Sequence, residues 1–172
     1  MVLNKDLIDF FKKHNLYNKE MFDYFEKNST IIDYNDEEQQ CFIGCFYVFN
    51  KKHILKKIHL NLPYIYDNKT MLINIHEIMH GIELYKKLNQ KVYITEECEI
   101  LPILYEKIYI EEKQDEELIN YQKKIDDTID KTDKEYLLAL AVRDELYKEY
   151  DYNYSKIKKL SKNIAKKYKN YI

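Results

Sequence analysis

The sequence predicts an α+β fold dominated by helix, and three observations carry that prediction. Only two glycines and two prolines occur in 172 residues, too few for the turns of a β-barrel or propeller, or for a glycine-rich phosphate loop. Strand-like alternation is concentrated between about residues 30 and 62, and apart from a short stretch at 91–94 the chain beyond it recurs with the helical period. Apolar residues make up 45% of the whole, enough to build a core. The length suits a single domain, 1–172, with N-terminal helices in 1–28, a small twisted sheet and a buried helix in 30–94, and a helical part in 95–172. A net charge of −2 excludes a globally basic nucleic-acid coat, so no nucleic-acid partner is expected.

The elements follow in order. Residues 4–13 and 18–27 read as helices, with Asn4 and Asn18 as N-caps and Leu7, Phe10, Phe11, Met21, Phe22 and Phe25 as apolar faces. Thr30–Tyr34, Cys41–Phe49 and His53–Leu62 read as strands, the last two joined by a turn at Asn50–Lys52. In the third strand Ile54, Ile58, Leu60 and Leu62 alternate with Lys57, His59 and Asn61, and Pro63 ends it. From about Asn68 to Leu88 the pattern is helical, with Asn89 as C-terminal cap and apolar residues on nearly every side between Met71 and Met79. Lys91–Ile94 reads as a short strand. Thr95 is the expected cap of a helix reaching Lys113, and helices at about 115–130, 133–150 and 155–169 complete the chain, Thr132 and Glu135 forming a capping box.

No stretch of about 18 apolar residues occurs, and the first residues lead straight into an amphipathic segment, so no membrane span and no signal core are expected. Three cysteines, Cys41, Cys45 and Cys98, are too few for a disulfide framework. A reducing, cytoplasmic setting is the expectation.

His76-Glu77-Ile78-Met79-His80 is an H-E-x-x-H pentapeptide. Residues four apart share a helix face, so two imidazoles converge on one metal ion, and the intervening Glu can serve a metal-bound water as general base. Chance alone would place the pentapeptide in about one chain in a hundred of this composition. Its context strengthens it: two histidines and a carboxylate in an apolar helix need partners, and a metal serves all three. The competing explanation is core histidines bonded to backbone carbonyls and a Glu paired with lysine. Two histidines leave a zinc site one protein ligand short. A third histidine six residues after His80 is absent, that position being Lys86, and no histidine follows at all. The next acids are Glu96, Glu97 and Glu99, which makes a His₂Glu site the expectation. Glu96 and Glu97 read as helix-start chemistry, so Glu99 is the expected ligand and Glu96 the reserve. Glu106, about 10 Å further along the helix, would accept a hydrogen bond from a ligand histidine or else pair with a lysine.

His76–His80 followed by Glu99-x-x-Pro102-x-x-x-Glu106 resembles the thimet oligopeptidase and oligoendopeptidase F family of zinc peptidases over roughly residues 45–112. Met79 stands where that family has glycine and Gly81 where it usually has alanine. The resemblance implies a zincin-like fold of the gluzincin type, with zinc held by His76, His80 and Glu99, Glu77 as base, and a peptide or protein as substrate. An extended substrate would be expected on an edge strand beside the helix. His53–Leu62, with its polar Lys57, His59 and Asn61 face, reads as that edge, and the more continuously apolar Cys41–Phe49 as central.

Candidates for stabilising an oxyanion are Tyr136, Arg143, Tyr147 and Tyr150, one stripe of the 133–150 helix. The stripe equally describes an amphipathic tyrosine face with Arg143 in an ion pair. Cys41 and Cys45 would lie on one face of a strand as small buried side chains. The last helix carries Lys156, Lys158, Lys159, Lys162, Lys166, Lys167 and Lys169, which is a solvated face or a surface for an anionic partner. The alternative to a peptidase is therefore a non-catalytic binding module on the same scaffold, acting through a surface such as this helix.

Overall fold

A computed structural model describes residues 3–35, 37–93, 95, 97–128 and 133–169, with the backbone alone for residues 37 and 38. The chain is α+β and divides into two compact units, Met1–Tyr93 and Ile94–Ile172. Ile94, Glu96 and Thr132, named above for a strand end, a reserve ligand and a cap, lie outside the described residues. Among the described residues, no helix is long and apolar enough to cross a membrane.

In the first unit, α1 (Lys5–Lys13) and α2 (Lys19–Lys27) start where Asn4 and Asn18 accept hydrogen bonds from the Leu7 and Met21 amides. Their apolar faces, Leu7, Phe10, Phe11, Met21, Phe22 and Phe25, are buried. Then come β1 (Ser29–Ile32), a single turn α3 (Glu37–Gln40), β2 (Gly44–Phe49), β3 (Leu55–Pro63) and α4 (Asn68–Tyr85). The sheet runs β1-β3-β2, with β1 parallel and β2 antiparallel to β3. Asn50 organises the β2–β3 turn, its Oδ1 accepting from the Lys52 and Ile54 amides.

This order corrects the strand assignment. β3 is paired on both sides and central; β2 is the outer strand. Its polar alternation arises because only one face of the sheet is covered, by α4, so a central strand also alternates. Where β1 has not yet begun, the Tyr24 phenol serves the exposed edge of β3. The Ile58 amide donates to its oxygen at 3.0 Å, and the hydroxyl donates to the Ile58 carbonyl at 3.3 Å. A register shift between Val48 and Phe49 skips Lys56, which places Leu55, not Ile54, in the core. Cys41 lies before the strand and is exposed, so it shares no strand face with Cys45. Lys91 contributes one bridge to Ile54 in place of a strand.

Asp67 and Thr70 cap α4 reciprocally. Buried Asn74 donates to the Pro63 and Thr70 carbonyls at 2.9 and 2.7 Å, tying the helix to the end of β3. Asn89 adopts the left-handed conformation that turns the chain after the helix, φ 62°, its amide bonded to the Leu55 carbonyl.

The second unit is helical: α5 (Ile100–Lys113), α6 (Glu116–Thr128), α7 (Lys134–Lys148) and α8 (Tyr154–Tyr168). α5 is buried on nearly every side and packs against α7 and α8. It begins four residues later than a Thr95 cap predicts, with Glu99 in the cap position. Ahead of it two i to i+3 bonds form instead, Cys98 N–H to Thr95 O and Ile100 N–H to Glu97 O. Three glutamates within four residues repel one another, and Thr and Cys favour helix weakly. Asp133 caps α7, accepting from the Tyr136 amide.

Gly81 fixes how closely α4 approaches its neighbours: a Cβ there would meet the Phe25 ring at 3.2 Å and Leu60 Cδ2 at 3.3 Å, both fully buried. Gly81→Val is expected to lower unfolding free energy by about 2 kcal/mol in urea titrations. Gly81→Ala, whose better helix propensity of about 1 kcal/mol offsets part of the crowding, should fall between.

Candidate metal and hydrolase site

The core of the site lies within the first unit. One side of α4 is packed by Met71, Leu72, Ile75, Ile78, Met79 and Ile82. His76, Glu77 and His80 sit on the remaining, half-buried side. The histidines are thus not sunk in an apolar core. Their rings lie 4.8 Å apart, centroid to centroid, at 69°. The two Nε2 atoms face each other at 3.1 Å. Two nitrogens bound at about 2.0–2.1 Å to one tetrahedral zinc ion stand about 3.3 Å apart, so the pair has close to the separation that joint coordination requires. Without an ion, one Nε2–H donates to the other nitrogen.

β2 passes beside Glu77. Cys45 stands opposite fully buried Leu60, which puts its half-buried side chain on the α4 side of the sheet. There burial first, and then the Glu77 carboxylate, push its thiol well above its ordinary pKa. On the same outer strand Phe46, Tyr47 and Val48 are exposed, and residues 41–49 include no charged side chain.

Glu99 belongs to the second unit, as the residue immediately before α5. It takes the N-cap position in helical conformation (φ −82°, ψ −15°), and its side chain makes no cap hydrogen bond. Around it are residues the sequence did not single out for chemistry. The Cys98 thiol lies 3.6 Å from Glu99 Oε1 and 3.4 Å from Glu135 Oε2, and one ligand atom from each of the three lies within 4.8 Å of the others. Glu135 reads as capping chemistry from sequence, and only the packing of α7 on α5 shows otherwise. Burial first, then Glu99 and Glu135, hold the Cys98 thiol protonated.

Glu106 is buried. It faces Tyr136, whose hydroxyl is held protonated by burial first, then by the charges of Glu106 and Asp126, with Glu99 adding a smaller push. The other members of the stripe are engaged elsewhere. Arg143 donates to Asp126 at 2.9 Å and to Asp144 at 3.2 Å. Burial opposes its charge, but the two aspartates outweigh that. Tyr147 lies under the Lys107 ammonium, and Tyr150 meets Tyr105 edge to face at 6.0 Å.

Comparison with family models, with characterised proteins and with solved structures finds no match to this chain.

Arg143 and Asp126 are only 16% and 21% exposed, so breaking the pair strands a largely dry carboxylate. Arg143→Gln is expected to lower stability by about 2 kcal/mol, measured by chemical denaturation, and to leave metal uptake unchanged.

Proposed function

We propose that this protein is a zinc-dependent peptide hydrolase, with His76 and His80 as metal ligands and Glu77 as general base. The observation that carries the reading is the pair of Nε2 atoms 3.1 Å apart on one helix side, with Glu77 on the same half-buried side. Glu99 completes the ligand set in this reading. That assignment rests on its place in the sequence, 19 residues after His80, and on a carboxylate that the helix start does not use. A zinc ion bound by these residues supplies a Lewis acid and an acidified water. Glu77 takes the proton of the attacking water onto its carboxylate and passes it to the nitrogen of the leaving amine. Tyr136, protonated and near Glu99, is the hydroxyl this reading favours as donor to the developing oxyanion.

The substrate strand moves from β3 to β2. A central strand has no free edge, whereas β2 keeps one and runs beside Glu77. An extended peptide pairing there gains main-chain hydrogen bonds, and the exposed Phe46, Tyr47 and Val48 offer apolar contact on either face.

Metal analysis of the purified protein should find close to one zinc per chain, falling to near none in His76→Ala or His80→Ala, with a lower melting temperature. Glu77→Gln should keep the zinc and lose about 10²- to 10⁴-fold in peptide cleavage. Undiminished zinc in a His76→Ala, His80→Ala double variant would overturn the site.

A non-cleavable extended peptide should slow amide hydrogen exchange in Gly44–Phe49 and leave Ser29–Ile32 unchanged. Protection confined to Ser29–Ile32 would remove β2 from the reading.

A further inference from the structure

Between residues 154 and 169 the chain has seven lysines and no acid. α8 buries Ile157, Ile164 and Ala165 and packs on α7 and α5, which accounts for its apolar side. Part of its charge is spent within the second unit: Lys156 pairs with Asp151, Lys167 with Glu145 and Lys169 with Glu97. Three lysines differ. Lys159, Lys162 and Lys166 are exposed, and among the described residues none of them makes an ion pair. Spaced at i, i+3 and i+7, they form one row about 10 Å long on the solvent side of the helix.

We infer that the Lys159–Lys162–Lys166 row is a docking surface for a short acidic polypeptide segment. Charge complementarity names an anionic partner, and the length of the row fixes its size. The row holds three positive charges and is about 10 Å long, which suits a short partner with few acids. A nucleic-acid duplex, with one charge per about 1.7 Å of axis, presents a far longer line of charge than a row of three lysines about 10 Å long can match. A bilayer is equally broad, and this side of α8 has no large apolar side chain to insert, Ile157 and Ile164 being buried. A peptide with three carboxylates at matching helical spacing covers the row and nothing more. The docking surface does not depend on the zinc reading.

The test is fluorescence anisotropy of the full chain with a labelled helical peptide bearing Glu at i, i+3 and i+7. At low ionic strength the peptide should bind, and affinity should fall steeply as salt is added. The Lys159→Gln, Lys162→Gln, Lys166→Gln triple variant should bind at least about tenfold more weakly, with an unchanged circular dichroism spectrum. Lys156→Gln, which removes a lysine already paired, should change affinity by less than about twofold. Reversing both partners, Lys→Glu at the three positions and Lys in the peptide, should restore binding. Equal affinity in the triple variant, or no rescue by charge reversal, would overturn the surface. Tighter binding of duplex DNA or of phosphatidylserine vesicles through the same three lysines would overturn the partner class.

Discussion

The approach of α4 to the sheet is the constraint on which the rest of the first unit depends. At Gly81 the helix backbone comes so near Phe25 and Leu60 that even a methyl group would have to push them aside by a few tenths of an ångström. That contact joins α2, β3 and α4 in one layer of packing, and Asn74 fastens the same helix to the end of β3. Dispersion and apolar burial at such a seam are worth several kcal/mol and tolerate little change of volume. The rotation of α4 about its own axis is thereby settled. With Ile75, Ile78, Met79 and Ile82 turned inward, His76, Glu77 and His80 have only the remaining side to occupy. The glycine one residue past the pentapeptide thus serves the geometry of the pentapeptide itself.

Much of this was legible in the sequence because it is encoded locally. Asn4 and Asn18 are caps whose side chains satisfy orphan amides a few residues away, and the i, i+4 spacing of His76 and His80 needs only a helix to bring them together. Strand order is not local. Lys57, His59 and Asn61 signalled an exposed face, and an exposed face belongs to a central strand as readily as to an edge once one side of the sheet is bare. The apolar run from Phe42 to Phe49 carried the opposite error: hydrophobicity was read as burial, while Phe42, Phe46 and Val48 stand in solvent. The start of α5 is misplaced by sequence because Thr95 has the chemistry of a cap and Glu97 that of a first turn, yet both accept i to i+3 bonds ahead of the helix, which starts at Ile100.

The second unit keeps a polar seam inside its helices. Gln122 donates to Asp126, Asp126 receives Arg143, and burial together with the charges of Glu106 and Asp126 keeps Tyr136 protonated. Gln122 and Asp126 are four apart on α6 and meet by helix spacing alone, whereas Arg143 reaches Asp126 from another helix and is not predictable from one helix. Such a network fixes helix register because a shift of one residue would leave several desolvated groups unmatched at once. It also gives Arg143 a structural task, which separates it from Tyr136 among residues that share one stripe of α7.

The mixed pairing of the sheet bears on how the first unit is assembled. β2 and β3 join across a tight turn at Asn50, so their antiparallel ladder closes a short loop. β1 reaches its parallel partner only after α3, β2 and the turn have been laid down, with Ser29 set against Leu60. Loop closure of that length costs more entropy and slows folding. β1, four residues long, therefore makes the shorter and less local of the two pairings with β3. While it is away, β3 has a bare flank served only by the Tyr24 phenol. Before β1 docks the hairpin exposes the flanks of both β3 and β2; afterwards the free edges are those of β1 and β2.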